Sequence, residues 1–431
     1  MKFHPTPSFI VEIIRKHVPK TARTVLEPAV GEGALLSTFE KRNYQYTLID
    51  IDKSRLDALS TRLKSHSLIH ADFIAWSQKN ISQRFDLVLT NPPFSAKAES
   101  WIDFEGEYVP IEIAFIMQAR KLLKAGGTLI AIVPDSIINS SRFLKFRTIL
   151  LENSMINYVY QLPQKIFSKI EGGFYLIILT ACGSTKKISL RDASSNRGKE
   201  IVVTVGKLRE NMHRLDYRYY RGYQQIAEII NNIRAQVSSL DLNSFCRIVR
   251  GSIRSNYHEE SLHHSNSFVN GFWRGFTVKD IRYIEECCIV VKRVARDAHQ
   301  SFGLIDKSNI YYLTDCLILI EQNGLSPLKL LFFLRVIYAN EYGKEYLLKG
   351  SGAKFIAVEG VRDFSFFDIS TIFPDEFKLF SKAYLNRDIS KCLQVENYVF
   401  NILASRGRVL SIKPELKESC LSPLRLLASL S

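Results

Sequence analysis

The residues with the clearest chemical content are Asn91-Pro92-Pro93-Phe94, which directly follow the apolar run Phe85 to Thr90. The two prolines fix φ and remove two backbone N–H donors. What remains is rich in acceptors: the Asn91 side-chain oxygen and the Pro92 carbonyl. Two such acceptors suit a planar nitrogen whose lone pair is delocalised into a ring or amide. Engaging both of its N–H bonds draws the nitrogen toward tetrahedral geometry and frees the lone pair for attack. Phe94 adds a flat apolar surface for an aromatic ring to stack on. This chemistry needs no metal and no covalent intermediate. No Pro-Cys dipeptide is present to supply a thiolate nucleophile. The plainer alternative is a proline-stiffened strand end with a capping Asn.

Three upstream segments end in residues that would share a cleft with this tetrapeptide. The strand Thr24 to Leu26 leads into Glu27-Pro28-Ala29-Val30-Gly31-Glu32-Gly33, a glycine turn that lets backbone approach a ligand. Position 36 is Leu, so this is not the G-x-G-x-x-G fingerprint of nicotinamide or flavin binders. An acidic residue at the strand end also fits a cationic ligand better than a pyrophosphate. S-adenosylmethionine, with its sulfonium and ammonium groups, is such a ligand. The second strand ends at Asp50-Ile51-Asp52, and either acid could accept from ribose hydroxyls. Asp50, about twenty residues after the glycine turn, is the better placed. Asp72, in His70-Ala71-Asp72-Phe73, stands where a third strand should end and could accept from an adenine amine. Ligands of open α/β sheets gather at the carboxyl ends of strands, so four features at four successive ends are more specific than any one.

The elements that must hold these residues alternate. Helical spacing covers Phe9 to His17, Lys53 to Leu63 and Ile111 to Leu123. Strand-like runs cover Tyr46 to Ile51, Thr128 to Val133, Tyr158 to Leu162 and Phe174 to Thr180. The fold class expected is α/β: a Rossmann-like, mostly parallel sheet with helices on both faces, followed by a mixed α+β domain. A polar stretch from Gly183 through Gly198 reads as a boundary. It gives a domain over 1–183, a linker over 184–205 and a second domain over 206–431. In the latter, Asn309 to Ile320 reads as strand and Pro327 to Tyr342 as helix.

The net charge of +15 over 431 residues suggests a polyanionic partner or an ordinary basic surface. The stretch after Gly183 carries the larger share of the excess. The seven cysteines (Cys182, Cys246, Cys287, Cys288, Cys316, Cys392, Cys420) show no zinc spacing, so no metal is expected; they read as reduced and structural. No apolar run approaches the roughly 18 residues of a membrane span, and the N-terminus lacks a secretory pattern. A cytoplasmic protein with no membrane partner is the expectation.

These motifs, in this order, resemble the gamma class of bacterial DNA adenine-N6 methyltransferases of restriction-modification systems. In that class the cofactor motifs precede the catalytic motif and a target-recognition domain comes last. Thr6-Pro7 with Phe9-Ile10 is similar to the N-terminal motif beside the methionine part of the cofactor. Leu26-Glu27-Pro28-Ala29 with Gly31 and Gly33 resembles the cofactor loop. Asp50 stands where the family carries an acid for the ribose, most often Glu. Ile51, Asp72 and Asn91 complete the cofactor set that the resemblance implies. Leu162-Pro163 with Phe167 resembles the motif whose aromatic contacts the target base; a core role for Phe167 remains open. The implied cofactor is S-adenosylmethionine, and the implied reaction is methylation of N6 of an adenine flipped out of duplex DNA.

The resemblance makes the C-terminal domain the DNA reader. Candidate contacts are Arg250 and Arg254, Trp273 and Arg274, Lys292, Arg293 and Arg296, and Lys354, each with a solvated surface role as the alternative. Thr6-Pro7 lies almost at the first residue, so a cognate endonuclease is expected as a separate chain, and the enzyme as a monomer. Asn-Pro-Pro-aromatic also occurs in RNA methyltransferases and in enzymes that methylate protein glutamine. A non-catalytic DNA-binding subunit is the remaining alternative.

Overall fold

In the computed structural model the described residues are all but 1–5, 40–43, 62–65, 95–100, 165, 168–171, 195–199, 255–260, 276–280, 295–300, 350–354 and 410–431. The chain divides into two compact units, the first running to Tyr217 and the second from Arg218 on.

The first unit is built on β1 (Thr24–Glu27), β2 (Gln45–Asp50), β3 (Ser67–His70), β4 (Phe85–Thr90), the hairpin β5 (Trp101–Phe104) and β6 (Glu107–Pro110), β7 (Leu123–Pro134), β8 (Ser154–Gln161), β9 (Phe174–Ala181), β10 (Lys187–Asp192) and β11 (Ile201–Thr204). Nine of them form one sheet in the order β11-β10-β8-β9-β7-β4-β1-β2-β3. The pairs β3–β2, β2–β1, β1–β4 and β4–β7 are parallel, whereas β9 runs antiparallel to both β7 and β8. The expected α/β sheet is therefore present, with a mixed half beyond β7. Parallel strands covered on both faces need apolar side chains throughout. Leu87, Val88 and Leu89 of β4 and Leu129 to Val133 of β7 are all buried.

Helices α1 (Ser8–His17), α2 (Lys53–Ser60), α3 (Phe73–Lys79), α4 (Ile111–Lys121), α5 (Asp135–Asn139) and α6 (Leu144–Asn153) accompany the sheet. Helix α1 buries Ile10, Val11 and Ile14 on one face and places Arg15, Lys16 and His17 in its last turn, where the helix dipole favours cations. Asp52 and Asp72 cap α2 and α3, accepting from the amides of Ser54 and Ala75. At the amino ends of the strands, Asp86 accepts from the amides of Arg23 and Thr24, the Thr24 hydroxyl and Lys124 Nζ. Burial alone would raise its pKa; these donors outweigh it and hold the carboxyl well below the usual range.

Two boundaries differ from expectation. Strand β7 begins at Leu123, which pairs with Phe85, and crosses Gly126-Gly127 at a register shift before Thr128. The region expected as a linker over 184–205 instead contains β10 and β11. There Ile188, Leu190, Ile201 and Val203 are buried, with the period-two pattern of strands amid polar neighbours. With the division at Tyr217, the positive excess falls on both units rather than mainly on the second.

The second unit holds an antiparallel sheet of Cys246–Arg250, Leu317–Gln322, Cys287–Lys292 and Phe302–Asp306, in that order. The strand expected over Asn309 to Ile320 is shorter: Lys307–Tyr312 is a 3-10 turn capped by Asp306, and the strand starts at Leu317. The helix from Pro327 ends at Tyr338, and Asn340 caps a new one, Glu341–Leu347. Arg335 is wholly buried and donates Nε to Glu396 Oε1 at 2.6 Å. No helix among the described residues is long and apolar enough to cross a membrane.

Candidate active site

The strand order of the parallel half reverses between β1 and β4: from β1 the chain builds outward through β2 and β3, then returns to place β4 on the other side. Such a switch point leaves a crevice at the carboxyl ends of the strands. A cavity of about 300 Å³ lies there. Its walls come from the ends of all four strands: Glu27 to Gly31 after β1, Asp50 to Asp52 after β2, Ala71 to Phe73 after β3, and Asn91 to Phe94 after β4.

The loop after β1 is shaped by Gly31 and Gly33, with φ of 55° and 78°, a region that L side chains rarely adopt. A Cβ at Gly33 would also meet Leu36 and Leu59 at 3.0 Å. Asp50 holds this loop: its Oδ2 accepts from the Gly31 amide at 2.8 Å and its Oδ1 from the Asp52 amide at 2.9 Å. A carboxylate has about four lone-pair sites, so these bonds leave acceptor capacity on both oxygens. Asp52 caps α2, and Arg55 reaches both acids, 3.3 Å from Asp52 Oδ2 and 3.8 Å from Asp50 Oδ1. Asp72 faces the cavity with Oδ1 engaged by the Ala75 amide.

Glu27 is 1% exposed, and its Oε2 has no hydrogen-bond partner among the described residues. Burial pushes its carboxyl pKa well up, and the nearby Asp50 adds to the shift. A buried carboxyl of this kind, on the wall of a cavity, is poised to meet a cationic group. Ile51 presents the opposite chemistry. It is 71% exposed at the cavity rim, an apolar surface that a flat ring would cover.

Asn91 Nδ2 donates to Thr6 Oγ1 at 3.2 Å, joining the end of β4 to the segment before α1. Thr6 lines the cavity, and Pro7 is the N-cap of α1. Phe94 packs with its ring centre 4.8 Å from Phe174 and 5.7 Å from Phe167. Phe167 is 3% exposed and lies in the core beneath Phe94 rather than across the cavity from it. Of the two roles that the sequence leaves open for Phe167, its burial against Phe94 matches the core one. The sequence reading missed Ile111 and Phe115, which form the apolar wall contributed by α4.

In the second unit the candidate contacts separate. Arg254 and Arg274 are exposed. Arg250 pairs with Asp315 at 2.6 Å, Lys292 Nζ donates to the Phe268 carbonyl, and Arg293 lies over the Phe355 ring. Trp273 is buried, a correction to its reading as part of an exposed loop. It belongs to a hairpin, Phe268–Val269 with Phe272–Trp273, turned by Asn270-Gly271 and packed into the core. Arg296 and Lys354 lie outside the described residues.

Residues 20–167 match the family model described as Eco57I restriction-modification methylase. Among curated proteins, the type II methyltransferase M.TthHB8I of Thermus thermophilus is 28% identical over 163 residues, covering 33% of this chain and 36% of its own. The type II methyltransferase M.VspI of a Vibrio species is 26% identical over 169 residues, covering 35% and 41%. The methylase subunit of the type I restriction enzyme EcoEI of Escherichia coli is 21% identical, covering 39% and 40%. The chain thus spans well under half the length of each of these relatives. Among solved structures, the type IIG restriction endonuclease BpuSI aligns with 94% of this chain and 66% of its own at 14% identity, with a TM-score of 0.47. The segment 20–167, which carries all four walls of the cavity, is thus similar to the Eco57I restriction-modification methylase family and, distantly, to type II and type I DNA methyltransferases.

Proposed function

We propose that this chain transfers a methyl group from S-adenosylmethionine to N6 of an adenine flipped out of duplex DNA, as the modification enzyme of a restriction-modification system. The observation that carries this reading is that Asn91 to Phe94 share one cavity with Glu27, Asp50 and Asp72.

The residues present fit the cofactor. Glu27 offers a buried, unpartnered carboxyl oxygen to a cationic group, Asp50 has acceptor capacity for ribose hydroxyls, and Asp72 and Ile51 suit an adenine edge and face. When bound, S-adenosylmethionine supplies an electrophilic methyl group. The chain's own work lies at the acceptor. The Asn91 oxygen and the Pro92 carbonyl receive the two N–H bonds of the exocyclic amine and localise its lone pair. Phe94, braced by Phe167 and Phe174, offers a stiff ring for the extruded base to stack on. The apolar wall of Ile111 and Phe115 restricts water near the reacting nitrogen. The second unit then serves as the DNA reader, with exposed Arg254 and Arg274 as contact candidates. Duplex DNA is the partner, and the enzyme works as a cytoplasmic monomer.

The test is transfer of labelled methyl groups to duplex DNA, with the product base identified after digestion. N6-methyladenine is the expected product. Transfer to RNA alone, or to protein alone, would overturn the assignment.

A further inference from the structure

We propose that Thr6 is a positioning residue that holds the Asn91 amide with its oxygen turned toward the acceptor amine. The inference rests on the methyl-transfer reading of the cavity and adds a residue to its machinery.

An asparagine amide has two ends of similar shape and opposite hydrogen-bonding character. The proposed chemistry needs the oxygen end at the amine, because an NH2 group there would face the amine's own hydrogens. Pro92 and Pro93 stiffen the backbone beyond Asn91, but a proline ring does not restrain the preceding side chain's terminal torsion, which is broad for Asn. A side-chain partner is therefore needed to orient the amide plane. Thr6 Oγ1 receives Asn91 Nδ2–H at 3.2 Å across 85 residues of sequence. A hydroxyl can serve either end of an amide, so Thr6 fixes the amide plane and the acceptor amine's own hydrogens select the oxygen end; with Nδ2 directed at Thr6, the trigonal geometry of the amide turns Oδ1 away from it. Thr6 is itself 9% exposed, so water competes little for the bond. The Thr6 residue also tethers the start of α1, whose N-cap is Pro7, to the catalytic strand end. Cofactor loop and catalytic strand are held by Asp50 and by sheet pairing; the Asn91 side chain is held from a third direction by Thr6.

The test compares the full chain with T6V, which keeps the shape and removes the hydroxyl, and T6S, which keeps it. Single-turnover rate, kcat, and equilibrium binding of S-adenosylmethionine and of a DNA duplex are measured for each. T6V is expected to lower the single-turnover rate about tenfold or more, as for loss of one oriented hydrogen bond, with both affinities within a few-fold of the unaltered chain. T6S is expected to recover most of that rate. An undiminished rate in T6V overturns the proposal. So does a loss confined to cofactor affinity, or a T6S variant as slow as T6V, which would mark a packing role for the threonine methyl. Should T6V fail to fold, T6A takes its place beside T6S: a slow T6A with a near-normal T6S supports the proposal, and equal rates in the two overturn it. If the unaltered chain transfers no methyl group to DNA at all, the functional reading fails, an outcome separate from any difference between the variants.

Discussion

Glu27 should make cofactor binding depend on pH, in a direction fixed by its surroundings. Its carboxyl is buried beside Asp50, and its pKa is raised well above the ordinary value. Burial therefore favours a protonated Glu27 at pH values where an exposed glutamate would be charged. A cationic ligand favours the carboxylate and lowers that pKa, so binding releases a proton. Affinity for S-adenosylmethionine should then rise with pH between the bound and unbound pKa values and level off above the latter. The slope is at most tenfold per pH unit, since one pKa unit corresponds to about 1.4 kcal/mol. A ceiling follows from Coulomb's law: a unit charge about 4 Å away gains about 4 kcal/mol at an effective dielectric constant of about 20. Part of that gain is spent in displacing the proton. The same group acts oppositely on the unliganded fold. Because its folded pKa is raised, its contribution is favourable at low pH and is lost as pH climbs from the unfolded value toward the folded one. Calorimetric titration over roughly pH 5 to 8, in buffers of differing ionisation enthalpy, counts the released protons directly. Glu27→Gln should bind more weakly at the upper end and show no slope. A pH-independent affinity for the unaltered chain, or an equal slope in Glu27→Gln, would refute the role given to this carboxyl.

Asn91→Ala should leave S-adenosylmethionine binding within a few-fold while nearly abolishing turnover, because the lost oxygen acts on the reacting amine; unchanged single-turnover rates would contradict that. In the second unit, Arg335→Ala should lower stability by about 3 to 5 kcal/mol, since it leaves Glu396 buried without its partner. Denaturant unfolding measures this, and a loss below about 1 kcal/mol would show that Glu396 finds another partner or a proton at little cost.

The residues at the carboxyl ends of β1, β2 and β4 were legible because burial makes these parallel strands largely apolar runs, whereas β3, an edge strand with no buried residue, was marked only by the place of Asp72. The polar residue that breaks each run then marks where a strand delivers the chain to the cavity. Other parts were silent for equally physical reasons. Strand β11 buries only alternate residues and β10 buries Ser189 between Ile188 and Leu190, so polar positions (Lys187, Ser189 and Glu200 nearby) gave the stretch a loop-like composition. The β5–β6 hairpin turns at Glu105-Gly106, both with positive φ, and Glu lacks the Asn or Asp signature of such turns. Helix α4 is buried from Ile111 to Ala119, so no apolar stripe showed that Ile111 and Phe115 would face the cavity. Trp273 misled because its arginine and glycine neighbours suggested an open loop. The Asn270-Gly271 pair between Phe268–Val269 and Phe272–Trp273 was the available sign of a hairpin.

The pairing of β1 with β4 has a consequence for how the chain acquires its pocket. Val25 lies opposite Leu87, so the central seam of the sheet closes a loop of about 60 residues. Contacts of such long sequence separation form slowly, after local helices and hairpins. The four strand ends come together only when that seam is shut, which makes the pocket a late product of folding rather than a feature of any fragment. A ligand that needs all four walls binds the native chain and no partly folded one. Its concentration therefore draws the folding equilibrium toward the native state, by about 2.7 kcal/mol at a hundred times its dissociation constant. For a chain of this topology, such a ligand is also a measure of completed folding.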